Sequence, residues 1–469
     1  MKTVFGGPWM LTLRVSNGSC SGDGKYTPRA DHEGLSGLAL RVCVQSTMAS
    51  DSISSRHPFA AEITARATQI GAKLRAQQDQ SDASGCYSDE IHRELLEGGF
   101  YRILQPRMFN GGGVDCETYI RVILELSRGH PGGGWCYALA SSHALVVGAH
   151  FEEEVQRELF GSEGDFRSAF AAGPAGVPTF ERRDGGYRVS GLWAFASGIP
   201  VCTHFLGGAF IRGVDGALAP VAFVVPRSSV EVLPDWGGDS AMGMQASGSN
   251  SVRLHGVFIP DRHIVPSPVG ILTTDNFPDG TPGTRLHGEG LFLGIIFGWF
   301  SCEFGAIFAG AARAALEEYE RMMRVKPLLF DPQRTRMHDP ELQRIFGEAL
   351  CRADAAEALT LSATRLHMEQ CDRWMRERQP ITAADTLRVW GTAREGCRLA
   401  CECVEMLFHS AGASGAKRGD RLQGYFRDVQ MYRVHFQSQA ITPMLRAQLQ
   451  LGAEVPLPFR AGAAPSAPR

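Results

Sequence analysis

The period of the hydrophobic residues changes twice along this chain, and that order limits the folds open to it. From Pro58 onward, Ala60, Ile63, Ala67, Ile70 and Leu74 recur at the three-to-four spacing of an amphipathic helix. Further helices are predicted through Ile91, Leu95 and Leu96, over 116–128, over the nearly all-apolar 135–149, and over 151–160. Between Phe166 and Val265 the pattern turns to short alternating runs beginning at Gly186, Ala219, Val230 and Ser251. Gly, Pro and Asp separate them at intervals typical of antiparallel strands. The helical period then returns in long segments at 288–325, 339–371, 382–411 and 423–450. These changes predict an α+β chain with a helical domain over 57–165, an antiparallel β domain over 166–285 and a C-terminal four-helix bundle over 286–455. Residues 1–56 lack periodicity and predict a disordered leader, and the small residues and Pro of 456–469 predict a frayed tail.

Composition removes several function classes. The 469 residues carry 47 basic and 50 acidic side chains, a net charge of −3, with no Lys/Arg block. That balance argues against a nucleic-acid or anionic-membrane partner. The longest apolar stretch, 291–300, is about half the length of a bilayer span, so no membrane segment is expected. The 12 cysteines include no CxxC pair and no HxxxH motif stands near them, so no metal site is expected. They read instead as buried thiols of a cytoplasmic protein, because Gly and Pro interrupt the start of the chain where a secretory leader needs an apolar run.

Generic signatures are also missing. Gly243 to Gly248 has the glycine spacing of a phosphate loop but lacks its Lys-Ser/Thr end and leads into a strand. No GxGxxG follows a strand, and there is no GxSxG elbow. Four local segments remain, in order. They are Trp193-Ala-Phe195-Ala-Ser197-Gly198, then Gly243…Gly248-Ser249-Asn250-Ser251 with its following strand, then Gly412-Ala-Ser-Gly415, and last Tyr425-Phe-Arg427-Asp428.

Together these segments resemble the acyl-CoA dehydrogenase superfamily over about residues 58 to 452. More closely, they look like its oxygenase branch, the large component of two-component flavin-dependent monooxygenases. That branch includes 4-hydroxyphenylacetate 3-hydroxylase oxygenase, dibenzothiophene monooxygenase and amino-sugar nitrososynthases. The resemblance implies an acyl-CoA dehydrogenase-like fold and a homotetramer. It implies reduced flavin, FMNH₂ or FADH₂, delivered by a separate NAD(P)H:flavin reductase. O₂ would be used, through a C4a-hydroperoxyflavin, to hydroxylate or N-oxygenate a small organic substrate, with aromatic and natural-product molecules both open. It further implies that Trp193, Phe195, Ser197 and Gly198 line the flavin edge. Gly248, Ser249 and Asn250 would offer amides and hydroxyls, and Gly412, Gly415 and Arg427 would belong to the cofactor site.

The alternative within the superfamily is a dehydrogenase, whose carboxylate base in many members follows the Arg-Asp pair by nine positions. That position is Phe436 here, and Phe cannot accept a proton. Glu289 and Glu303 lie where some relatives carry the base instead. In the oxygenase branch a His commonly stands nine residues after the Gly of a Gly-Trp pair, and Gly134-Trp135 is followed at that spacing by His143. The second family His comes three residues after the Arg in phenol hydroxylases, where this chain has Gln430. It comes eight after in sulfur-oxidising relatives, where the chain has His435. A family hydroxyl before the first β strands corresponds to Ser168 or, at a shifted register, to Ala171. Histidine suits such chemistry because its proton affinity lies near working pH. A third reading, from a different class, is a non-catalytic paralogue that binds no flavin.

Overall fold

The computed structural model describes residues 58–162, 164–212, 216–438 and 441–453; the expected leader and frayed tail lie outside the described residues. Seven helices come first: α1 (Pro58–Ala76), α2 (Gln78–Ser84), α3 (Asp89–Glu97), α4 (Cys116–Gly129), α5 (Pro131–Ser142), α6 (Ala144–His150) and α7 (Glu153–Phe160). Their starts follow local chemistry. Asp115 accepts the Thr118 N–H at 2.7 Å to cap α4, and Pro131 occupies the first turn of α5, where no backbone donor is needed. The single helix expected over 135–149 is two helices, interrupted at His143.

Eight strands follow: β1 (Ser168–Ala171), β2 (Thr179–Arg183), β3 (Gly186–Trp193), β4 (His204–Arg212), β5 (Leu218–Pro226), β6 (Glu231–Val232), β7 (Val252–Pro260) and β8 (Ile264–Pro266). They form two four-stranded sheets, ordered β1-β4-β5-β8 and β2-β3-β7-β6. All pairs are antiparallel except β1 with β4, which is parallel. Trp193 fills the space between the sheets, edge-on to Phe205 and Phe223.

The remaining helices are α8 (Pro282–His287), α9 (Ile296–Val325), α10 (Pro340–Glu377), α11 (Ala383–Ser410), α12 (Arg421–Arg433) and α13 (Ile441–Gln450). The segment expected as one helix over 423–450 is therefore also broken, beyond Arg433. A capping box between Thr382 and Asp385 fixes the start of α11. Helix α9 packs against α4, α10 and α11. Its small residues permit this closeness: a Cβ on Gly310 would come within 2.5 Å of the Leu124 carbonyl oxygen, and one on Gly305 within 2.5 Å of Thr360 Oγ1. The architecture is α+β in the order the hydrophobic periods predict. No helix among the described residues is long and apolar enough to cross a membrane.

Candidate active site

A cavity of about 550 Å³ opens where β1, the α5–α6 junction, α9 and the end of α12 converge. Helix α9 supplies one wall with Phe297, Phe300 and Phe304, three residues at helical spacing on one face. Of the residues singled out in the sequence, the cavity brings together His143, His435, Phe195, Ser197 and Ser249.

His143 is buried at the break between α5 and α6, and its Nδ1 lies 2.6 Å from the Ser168 carbonyl oxygen. A carbonyl only accepts, so Nδ1 carries the proton and Nε2 keeps its lone pair. Phe170 and Phe300 hold the ring edge-on at 5.6 and 5.4 Å. Burial lowers its pKa to about 4 against the partial opposition of the Ser168 bond, so the imidazole is neutral at pH 7. His435 follows the end of α12, where the broken helix lets it turn inward. It lies edge-on to Trp135 at 5.7 Å and stacks on Tyr432 at 6.0 Å. Burial lowers its pKa to about 4 as well.

Another part of the lining is polar but uncharged. Ser249 Oγ lies 2.7 Å from both Ser197 Oγ and Ser247 Oγ. Three hydroxyls joined by two hydrogen bonds leave one O–H to donate outward. Two glycines make the turn possible. Gly198 (φ +81°) donates its N–H to the Ser247 carbonyl at 3.0 Å, and Gly248 (φ +61°) donates to the Gly85 carbonyl at 2.8 Å. A Cβ at Gly198 would meet the Cys136 carbonyl oxygen at 2.8 Å, and one at Gly248 would meet Pro200 Cδ at 2.8 Å. Asn250 ties the two loops together: its carbonyl accepts the Ala196 N–H and its Nδ2 donates to the Leu233 carbonyl. Phe195 holds a left-handed backbone (φ +59°), and its ring is 67% exposed at the rim, edge-on to Trp236. A bulky residue in that conformation is strained, and such strain gathers at functional sites.

Gly198, Gly248 and Asn250 shape these loops without themselves lining the cavity, and five more singled-out residues stand outside the lining. Trp193 is fully buried behind it, its Nε1–H donating to the Gly208 carbonyl at 2.9 Å. The Ser168 hydroxyl turns to the Ala169 carbonyl, so Ser168 serves the cavity through its backbone oxygen, while Ala171 lines it. Gly412 and Gly415 flank a short turn near Arg336 and Lys326. Arg427 donates to the Met242 carbonyl at 2.8 Å, holding the loop that leads to Met244.

Beside Arg427, Asp428 is buried and accepts the Met244 N–H at 2.6 Å. Burial, reinforced by the charge of Asp82, pushes its pKa up to about 7, while His130, with Nε2 3.1 Å from Asp82 Oδ1, acts the other way. A carboxyl raised from its ordinary 3.8 contributes stability that is complete below that value and is lost as pH rises through about 7. Asp428→Asn keeps the acceptor for Met244 and removes the titration. It should gain roughly 1–3 kcal/mol on the wild type between about pH 5 and 8, read as the difference between their denaturant midpoints. Parallel pH curves for the two proteins would dismiss this account.

The two carboxylates considered as dehydrogenase bases are not in the lining. Glu289 pairs with Arg107 at 3.4 Å on the surface. Glu303 on α9 is fully buried with neither oxygen hydrogen-bonded; burial lifts its pKa well above the carboxylate range, and Ser142 and Trp299 are the polar groups facing it. Glu303→Met is expected to stabilise the fold by about 1–3 kcal/mol, because it removes a buried unsatisfied polar group. Oxygen transfer should be unchanged, and loss of turnover at full stability would restore Glu303 as a base.

The aromatic wall, Trp236 and Ser247 were not singled out in the sequence. Ser247 sits inside the quoted Gly243–Ser251 stretch, so proximity to Gly248 was the available signal.

Residues 303–440 match the family described as acyl-CoA dehydrogenase, C-terminal domain. The chain is 25% identical over 352 residues to the oxygenase component of p-hydroxyphenylacetate 3-hydroxylase from Acinetobacter baumannii, covering 74% of this chain and 78% of that protein. It is 28% identical over 349 residues to the oxygenase component of an FADH₂-dependent resorcinol hydroxylase from Rhizobium sp., covering 72% and 81%. Its fold matches that of TdsC, a dibenzothiophene monooxygenase of Paenibacillus sp. A11-2 solved with FMN and indole. There the TM-score is 0.70 at 20% identity, over 85% of this chain and 100% of that one.

Proposed function

We infer that the chain belongs to the oxygenase branch of the acyl-CoA dehydrogenase superfamily and is the oxygenase component of a two-component flavin-dependent monooxygenase. The observation that carries this reading is a neutral histidine, latched by its Nδ1, in an apolar cavity with no carboxylate among its described lining residues. An acyl-CoA dehydrogenase needs a carboxylate at the reacting carbon, and neither Glu289 nor Glu303 reaches the cavity.

The residues present fit the ring end of a flavin. Three serine hydroxyls and two loops kept open by Gly198 and Gly248 offer polar contacts, and aromatic side chains supply flat apolar walls. Among the described lining residues there is no cationic side chain to meet the phosphate end. When bound, reduced flavin activates O₂ and supplies the oxygen atom that is transferred. His143 Nε2 then accepts the proton of a substrate O–H or N–H, while Ser168 holds the ring in the tautomer that leaves Nε2 basic. Phe170, Phe300 and Phe304 exclude water. His435, beside Trp135 and Phe304, offers a second neutral imidazole to the same space. On this reading the reduced flavin comes from a separate NAD(P)H:flavin reductase, and the protein works in the cytoplasm as a homotetramer.

The test is anaerobic stopped-flow mixing of the protein and reduced FMN or FAD with oxygenated buffer. A near-ultraviolet species that persists before the oxidised-flavin spectrum supports the reading. Reoxidation at the rate of free flavin rules it out.

A further inference from the structure

We propose that Asp428 is a positioning residue: from outside the cavity it sets where the Ser247, Ser249 and Ser197 hydroxyls stand, and through them how tightly flavin is held. This rests on reading the cavity as the flavin site, and it names what keeps the polar patch of that site in place. Ser247 and Ser249 belong to the connection between Met242 and Ser251, which contains no strand and only one short helical turn. Helix α12 grips that connection at three successive residues. Arg427 donates to the Met242 carbonyl at 2.8 Å, Gly243 lies against the α12 backbone, and Asp428 Oδ1 accepts the Met244 N–H at 2.6 Å. A Cβ on Gly243 would come within 2.4 Å of the Arg427 carbonyl oxygen and 2.8 Å of the Asp428 nitrogen, so nothing larger than glycine fits this contact.

The third grip is the one that reaches the cavity. Met244 lines it and holds a left-handed backbone (φ +52°), a conformation that a side chain of this size keeps only where its surroundings impose it. The Met244 carbonyl accepts the Ser247 N–H at 3.0 Å and the Trp236 Nε1–H at 3.2 Å. The first of these bonds closes the turn Gln245–Ser247, which brings Ser247 Oγ to Ser249 Oγ, and Ser249 in turn meets Ser197. One carboxyl is thus tied, through a single strained residue, to all three hydroxyls and to the tryptophan at the rim. Without an acceptor, the buried Met244 N–H would be unpaired, a cost that a shift of the loop toward water relieves.

The experiment uses the full chain and has two readouts. The first is amide hydrogen exchange over 242–249 in the flavin-free protein. Asp428→Ala should speed it at least about tenfold, whereas Asp428→Asn, which keeps an acceptor for Met244, should stay within about threefold of the wild type. The second is the Kd for reduced FMN or FAD, measured by anaerobic ultrafiltration. Asp428→Ala should weaken it at least about tenfold and Asp428→Asn should restore it to within about threefold. Gly243→Ala, which lifts the loop from α12 with Asp428 intact, should speed exchange and weaken binding in the same way. Ser247→Ala alone should weaken binding at least about threefold, and adding Asp428→Ala to it should cost less than about threefold more, because the two residues act along one path. Wild-type exchange in Asp428→Ala or Gly243→Ala, an affinity loss that Asp428→Asn does not restore, or losses that simply multiply in the double variant would each overturn the proposal. A wild type that binds neither flavin would count against the reading of the cavity alone, since the exchange is followed without flavin.

Discussion

His143→Ala is expected to lower oxygen transfer by about 10²- to 10⁴-fold, the range over which a positioned general base contributes. Flavin reoxidation should continue, so the loss appears as less product and more H₂O₂ per reduced flavin consumed. The Ser168 carbonyl fixes the proton on Nδ1, and burial keeps the ring neutral, so Nε2 is a ready acceptor at any pH well above about 4. Product formation by the wild type should therefore fall only as pH drops toward about 4, because protonation then removes the lone pair. His143→Gln, which can still meet the Ser168 carbonyl, separates folding from chemistry: a Tm near that of the wild type with the same loss of product identifies the imidazole as the active group. Unchanged product per reduced flavin in His143→Ala would remove the residue from the mechanism.

Trp193→Ala is expected to cost about 3–5 kcal/mol of stability, the usual range for truncating a fully buried large aromatic. The indole sits between the two sheets, edge-on to Phe205 and Phe223, with its N–H on the Gly208 carbonyl. Removing it leaves a cavity and an unpaired carbonyl in the same place. Trp193→Phe fills most of the space and loses only the hydrogen bond, so its melting temperature should fall less. Its affinity for FMN or FAD should stay within about threefold of the wild type, since the ring does not line the cavity. A large loss of flavin affinity in Trp193→Phe at unchanged Tm would place the indole against the cofactor instead.

The order of helical and strand regions was legible because it depends on hydrophobic period, a property of the whole segment. Strands β3, β5, β6 and β7 announced themselves by alternation, whereas β4 did not. Its residues 205–209 are buried in succession and include Gly207 and Gly208, so no alternation survives. β1 is four residues of small and apolar type, too short for any period. The break at His143 was hidden because its neighbours are all apolar or small and no Gly or Pro marks it; its own φ/ψ of −67° and −8° is nearly helical. The serine side of the cavity could be read from its Gly-Ser wording. The aromatic wall could not, because Phe297, Phe300 and Phe304 carry the spacing of an ordinary core stripe. A helix face turned toward an internal space has the same pattern as one pressed against a neighbour.

On the proposed reading, the proton acceptor and the guest-facing wall are carried on different covalent segments. His143 is anchored to β1 through Ser168, whereas Phe297, Phe300 and Phe304 ride on α9, whose backbone is clamped to its neighbours at Gly305 and Gly310. Exchanging Phe297 or Phe304 for an aromatic of another size would reshape the guest's berth without touching Phe300, which packs on His143, or the helix position. The same scaffold can thus be redirected to new molecules by a short mutational path, with its chemistry inherited intact while its diet drifts.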